Sequence, residues 1–466
     1  MNGIIALLIG IAVLLFLIIK TKIHAFPALI VTAITIGLLS GLTPADTISA
    51  TTTGFGNTLA SIGIVIGFGC IMGTFLERSG AAKKMALTIL KLVGVKRADV
   101  VLGLSGFLVS IPVFCDSGFI ILSQLAKEFS RITKKSMVGL GGILGMGLYL
   151  THFLVPPTPG PLAVAGTLGI DVGIFIIAGL LMAIPLFIVA IFIFRWFGKK
   201  YPDFVMEDTV DKTKYTEEQL KVLDRISQKT KSGEELVSKD FEELIATEKL
   251  PNATVSFLTI IIPILLILMN TFAKIAGIEG SAQQIISLIG SPVVALFISI
   301  LISVYALSRN LDTKTARKVM ECALADAGLV VFVTGAGGAL GNVIKVTNIG
   351  QIMAEGILNM HMPVILVPLL IGTLMRFPQG SGTTAMITGS AIIAPMVPVL
   401  GLNPIIAGLA ICITSMCPSY MNDSYFWVVT NFSGLDVNTS LKTWSVATII
   451  IPIIGSVLLA IVNSFI

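Results

Sequence analysis

Charge is scarce in this sequence: Asp, Glu, Lys and Arg make up only 12% of its 466 residues, while 55% are hydrophobic. A water-soluble protein of that length needs far more polar surface, so a soluble fold is excluded. Cysteine is rare too. The five thiols (Cys70, Cys115, Cys322, Cys412, Cys417) have no metal-ligand spacing and read as small buried residues, so neither a metal site nor a disulfide framework is expected. No Lys-containing phosphate loop occurs, which argues against direct energisation by ATP. The first apolar run, GIIALLIGIAVLLFLII, lacks a basic start and a small-residue cleavage site; it reads as a retained span and not a signal peptide. The net charge of +5 carries no nucleic-acid message, because membrane topology distributes Lys and Arg.

What is abundant is apolar helix-length sequence. Mean hydropathy is +0.96, and about 20 apolar helical residues cross a bilayer core. Spans are expected at 3–19, 24–42, 58–77, 136–170 and 172–198, then at 253–271, 292–308, 328–345, 404–433 and 445–466. Two further apolar segments, 98–130 and 362–398, each consist of two short limbs flanking a polar tip. Basic residues bracket the first of them, from Arg78 to Arg97 upstream and from Lys127 to Lys135 downstream. Lys and Arg collect on the cytoplasmic side, so the chain is expected to dip into the membrane and return. With the amino terminus outside, 28 of the 31 Lys and Arg fall on the cytoplasmic side. The charged segment 199–252 is then a cytoplasmic linker between a first unit, 1–198, and a second, 253–466, and both termini are extracytoplasmic.

The two units echo each other. VIGFGCIMGTFLERSGAAKKMA (65–86) and VTGAGGALGNVIKVTNIGQIMA (333–354) share Gly67/Gly335, Gly69/Gly337 and Gly73/Gly341 at an offset of 268. No strand precedes these glycines, so close helix packing is preferred to a nucleotide-binding loop. At about the same offset the tip CDSG (115–118) meets QGSGTT (379–384), and VPPTPGP (155–161) meets SYMNDSYF (419–426). Five crossings per unit, an odd number, give the copies opposite orientations. The expected architecture is an all-α polytopic membrane protein of two inverted repeats, each of five transmembrane helices with a re-entrant hairpin and a broken helix. Such repeats mark a secondary transporter's midplane site.

The interruptions carry the chemistry. Pro156, Pro157, Pro159 and Pro161 remove four backbone donors and exclude a continuous helix. Broken backbone in lipid needs polar partners, and helix N-termini suit a carboxylate ligand. The candidate substrate-binding residues are Ser117, Thr158, Pro159, Gly160, Arg376, Gln379, Gly380, Ser381, Thr383, Asn422 and Ser424. Arg376 needs a partner: a substrate carboxylate, Asp423, or a ring of carbonyls. Asp116 and Asp423 are candidate proton carriers, because a carboxylate removed from water takes up a proton more readily; His152 is a candidate relay. Sodium coordination by tip carbonyls and Asp116 is the alternative use of the same atoms. Two buried aspartates also suggest an intramembrane aspartyl protease, but such a dyad must nearly touch to share a proton.

THFLVPPTPGP (151–161), RFPQGSGTTAMIT (376–388), NDSYFW (422–427) and LKTW (441–444) resemble the gluconate permease (gluconate:H+ symporter) family, within the ion-transporter superfamily of elevator carriers. The resemblance runs over nearly the whole chain. It implies proton-coupled import of gluconate or a related small sugar acid or hydroxy acid across the cell inner membrane. It also implies a homodimer, a scaffold built from the first three spans of each unit, moving hairpins, and no cofactor or catalytic residue beyond the coupling ion. Tyr420 stands where members often carry His, Tyr425 where a small Gly is usual, and Pro378 enters the second tip. Two bulky aromatics beside the site point to a smaller acid than gluconate.

Overall fold

The computed structural model describes residues 3–206, 250–307, 313–359 and 362–465, with positions 222, 225 and 228 between them. The linker expectation for 199–252 lies mostly outside the described residues. Among those described there is no strand. The first unit runs α1 (Gly3–Ile19), α2 (Ala25–Leu39), α3 (Pro44–Arg78), α4 (Ala81–Val93), α5 (Ala98–Val109), α6 (Cys115–Thr133), α7 (Met137–Leu154), α8 (Pro159–Leu168) and α9 (Val172–Lys200). After the linker come α10 (Ala253–Ile275), α11 (Gly280–Ile289), α12 (Pro292–Ile302), α13 (Thr313–Val346), α14 (Ile349–Asn359), α15 (Leu366–Gln379) and α16 (Gly382–Ile393). The chain closes with α17 (Pro404–Thr414), α18 (Ser424–Phe432), α19 (Val437–Ser440) and α20 (Val446–Asn463). One order of elements thus occurs twice: a long helix (α3, α13), a short one (α4, α14), two helices meeting at a turn, an interrupted helix, and a closing helix.

Among the described residues, six helical stretches are long and apolar enough to cross a membrane, and a seventh if α11 and the helix from Pro292 to Leu307, bent by 53°, count as one. Ten crossings were expected. The difference lies in α1 and α2, which are 17 and 15 residues long, in the bent pair, and in 404–433, which is two short pieces. The helix that contains the third expected span begins at 44, ahead of 58, because Thr43 caps it, its Oγ1 accepting from the Asp46 N–H at 3.1 Å with Pro44 in the first turn. Its polar opening turns stay helical because Thr47 and Thr51 are buried.

Glycines set how closely the long helices approach. A Cβ on Gly54 would strike the Asn342 side chain and come 3.0 Å from Ala339 Cα, and Asn342 Nδ2 donates to the Ala50 carbonyl at 2.8 Å. Further along α3, Gly73 faces the Pro112 carbonyl in the α5–α6 turn, and Gly69 faces the Pro157 carbonyl in the α7–α8 break. On α13, a Cβ at Gly341 would lie 3.0 Å from the Ala391 carbonyl of α16. On α3, Gly69 and Gly73 are thus surfaces on which a break and a turn rest, while on α13 Gly337 and Gly341 rest against the body of α16. Gly73→Ala is expected to force α3 and that turn apart, at a cost of about 1–3 kcal/mol, read as a lower thermal midpoint of the purified protein.

The packed centre is α7 with α8, whose apolar window is wholly buried, with α5, α6 and α9 against α7 and α16 against α8. Away from it, Asp171 caps α9, accepting from the Thr271 hydroxyl at 2.8 Å and the Lys274 ammonium at 3.0 Å. Burial pushes this carboxyl's pKa up, but those hydrogen bonds outweigh burial and hold it below the usual range.

Candidate functional site

The second turn is built from its backbone. Gly380 ends α15 at φ +69°, a conformation that glycine adopts without strain. Ser381 then caps α16, its Oγ accepting from the Thr384 N–H at 3.3 Å. The Asn422 amide and the Tyr420 hydroxyl both donate to the Phe377 carbonyl, at 2.9 and 2.8 Å, satisfying a last-turn acceptor of α15. The interruption between α17 and α18 is thereby tied to the end of α15.

Beneath this turn lies the fold's buried charge. Arg376 is fully buried and Asp423 is 5% exposed; they are the buried charged side chains among the described residues. Arg376 Nη2 donates to Asp423 Oδ2 at 2.5 Å and to the Tyr149 hydroxyl at 3.1 Å, while Nη1 donates to the Gly380 carbonyl at 2.5 Å. Asp423 also caps α18 through the Tyr425 N–H at 3.2 Å and accepts from the Ser419 hydroxyl at 2.5 Å. Ser419 in turn accepts from Trp444 Nε1 at 2.9 Å, and Tyr149 donates to the Met416 carbonyl at 3.0 Å. Of the three partners open to Arg376, the structure selects Asp423 and a carbonyl. Arg376 Nε is left without a partner, while Asp423 is engaged by Arg376, Ser419 and the Tyr425 N–H.

Asp116 is placed differently. It lies in the first turn of α6 and not in the connecting turn, which is 110–114. Its Oδ1 accepts from the Ser424 hydroxyl at 3.5 Å, and Oδ2 faces the Cys115 thiol at 3.6 Å. Among the described residues no cation pairs with it. Ser381, Asn422 and Ser424 are exposed, and Ser117, Gln379 and Thr383 are half-buried.

The first break is closed off. Thr158 is buried and donates to the Val155 carbonyl at 2.7 Å; Pro159 and Gly160 are buried, with Gly160 against Met386 of α16. His152 is buried between Phe114 and Phe153, with ring centroids 5.9 and 5.6 Å away. Its Nε2 lies 3.5 Å from the Thr383 hydroxyl and its Nδ1 has no partner. Tyr425 is turned into the core, stacked on Tyr149 at 5.4 Å and donating to the Gly145 carbonyl at 3.0 Å. It therefore gives no reason for a smaller substrate.

Sequence reasoning missed Tyr149, Ser419 and Trp444. Trp444 falls within LKTW, which carried the resemblance; Tyr149 lies in an apolar run, where an aromatic looks like ordinary core. What the arrangement brings together is the starts of α6, α16 and α18, lined by neutral hydroxyls and amides, with Asp423 paired to Arg376 and Asp116 without a paired cation among the described residues.

The chain was compared with known proteins. An uncharacterized permease of Haemophilus influenzae is 40% identical over 99% of this chain and 92% of its own length. The gluconate permease of Pseudomonas aeruginosa is 30% identical over 98% of this chain and 96% of its own. Among solved structures, MtrF of Neisseria gonorrhoeae superposes with a TM-score of 0.66 at 13% identity, covering 96% of each chain, a likeness of fold alone. With relatives that are permeases, the chain is a multi-pass membrane transporter and not an enzyme, and the protease reading falls away. The model of the GntP family permeases matches residues 2–466, and the chain belongs to that family.

Proposed function

We propose that this protein is a proton-coupled secondary transporter that imports gluconate or a related small sugar acid or hydroxy acid. The observation that carries the reading is Asp116: a carboxylate with no paired cation among the described residues, beside the exposed hydroxyl of Ser424, while the buried Arg376 is held by Asp423. A substrate carboxylate at the starts of α16 and α18 meets free N–H groups and hydroxyls. If Asp116 is ionised, it repels that anion by about 4 kcal/mol for charges ~4 Å apart at an effective dielectric of ~20. A proton on Asp116 removes the repulsion. Proton and anion then each favour the other's binding, which is the linkage symport requires. Asp116 is the coupling group in this reading; Arg376 and Asp423 hold the site's shape, and His152 with Thr383 backs the α16 start.

The side-chain-free contacts of α3 with the α5–α6 turn and of α13 with α16 support elevator-like movement of those elements against the two long helices. Inverted repeats, termini outside, a cytoplasmic 199–252 and a homodimer belong to the same proposal. The test is uptake into proteoliposomes against a panel of acids, with pH and Na+ gradients imposed separately. Accumulation of a hydroxy acid driven by an inward proton gradient and collapsed by an uncoupler is expected. Accumulation driven by Na+ alone transfers Asp116 to sodium coordination, and equilibration without accumulation under either gradient overturns the proposal.

A further inference from the structure

Away from that site, a cavity of about 460 Å³ opens between the starts of α5 and α7 and the end of α9. Its lining divides by chemistry. Leu140, Ile143, Ile191 and Phe194 supply an apolar floor; Lys96, Arg97, Lys134, Lys135, Arg195 and Lys199 supply a cationic rim. The one carboxylate in the lining, Asp99, accepts from Arg195 Nε and lies 3.9 Å from Lys135 Nζ, so its charge is already compensated. Lys135 is further held by the Lys96 carbonyl at 3.0 Å.

The neighbouring face of α9 identifies the surroundings. Leu181, Ile184, Ile188, Phe192 and Trp196 are all exposed and recur at three- and four-residue spacing, one helix face, so that face meets lipid. Trp196 ends the stripe, with Lys200 Nζ 4.8 Å from its ring centroid. Tryptophan beside basic residues marks the headgroup level of a bilayer. The cavity thus stands where hydrocarbon gives way to headgroups, apolar inside and cationic at its rim.

From this we infer that the cavity is a binding site for an anionic phospholipid, its phosphate held at the Arg97–Lys135–Lys199 rim and the upper part of an acyl chain against Ile143, Ile191 and Phe194. Basic pockets between membrane helices hold anionic headgroups by this charge complementarity. A free phosphate would leave the apolar floor unfilled. The inference does not depend on the transport reading.

The test uses the full chain purified in neutral detergent and titrated with phosphatidylglycerol or phosphatidylcholine, with retained lipid read by native mass spectrometry. Wild type is expected to retain phosphatidylglycerol selectively. Arg97→Gln combined with Lys199→Gln is expected to weaken that retention on the order of thirtyfold, the effect of two headgroup-level cations. Lys314→Gln with Lys318→Gln, removing two exposed cations elsewhere, is expected to leave it intact. Equal melting midpoints of both variants in phosphatidylcholine establish that they are folded. An equal loss in the Lys314/Lys318 variant overturns the proposal, as does protection by inorganic phosphate matching that by phosphatidylglycerol. Wild type that does not distinguish the two lipids also overturns it, and gives the pocket to another occupant such as the carboxylates of the 199–252 linker.

Discussion

Asp116→Asn is expected to abolish proton-driven accumulation while substrate exchange across the membrane continues. Asparagine keeps the size and polarity of the protonated acid but never carries its negative charge. The anion site therefore stays permanently ready, and proton binding no longer gates it. Solute counterflow, in which labelled substrate enters in exchange for unlabelled substrate inside, should persist and lose its dependence on pH. Net uptake under an inward proton gradient should fall to the equilibrated level, a loss of tenfold or more, on the order of the several-kcal/mol repulsion that couples the two ligands. The pair of assays separates roles that a single uptake measurement confuses. Counterflow lost together with accumulation would make Asp116 a structural or direct binding group; accumulation retained would remove it from coupling.

The second large effect concerns stability. Arg376→Gln leaves Asp423 charged in a site where it is 5% exposed, and breaking a buried pair from one side costs about 3–5 kcal/mol. Asp423→Asn strands the guanidinium in the same way while keeping an oxygen that can cap α18. The double variant, Arg376→Gln with Asp423→Asn, removes both charges and should recover a large part of the loss, because most of the penalty is the uncompensated partner. Thermal unfolding of the four proteins in one detergent forms the cycle. Additive losses would mean that the two side chains act independently. Arg376→Lys is expected to lie between wild type and Arg376→Gln, since an ammonium keeps the charge but cannot serve Asp423, Tyr149 and Gly380 from one planar fork.

How much of this was readable beforehand varies with the range of the interaction. The break at 155–158 was legible because prolines delete backbone donors locally. The break between α17 and α18 holds only Pro418 among its nine residues from 415 to 423, and it showed itself mainly through its likeness to the first. Hydrophobicity alone joined 404–433 into one crossing, since the interruption is short and apolar on both flanks. The start of α3 was placed too late for the opposite reason: Thr47 and Thr51 are polar by type yet buried by packing. The Arg376–Asp423 pair spans 47 residues, so no local pattern could choose it over a ligand or a carbonyl. Asp116 was recognisable as an exception to its apolar surroundings, but its lack of a cation is a property of the folded chain.

The links running from Trp444 through Ser419, Asp423 and Arg376 to Tyr149 join α7, the end of α15, the α17–α18 interruption and the π-helical segment Leu441–Ser445 before α20. Segments nearly 300 residues apart along the chain are thereby clamped into a single cassette. Whatever displacement accompanies a transport cycle, this cassette should travel undeformed. Spin labels placed on two of its segments would act as a fixed ruler, while the separation between positions 73 and 112 lengthens or shortens.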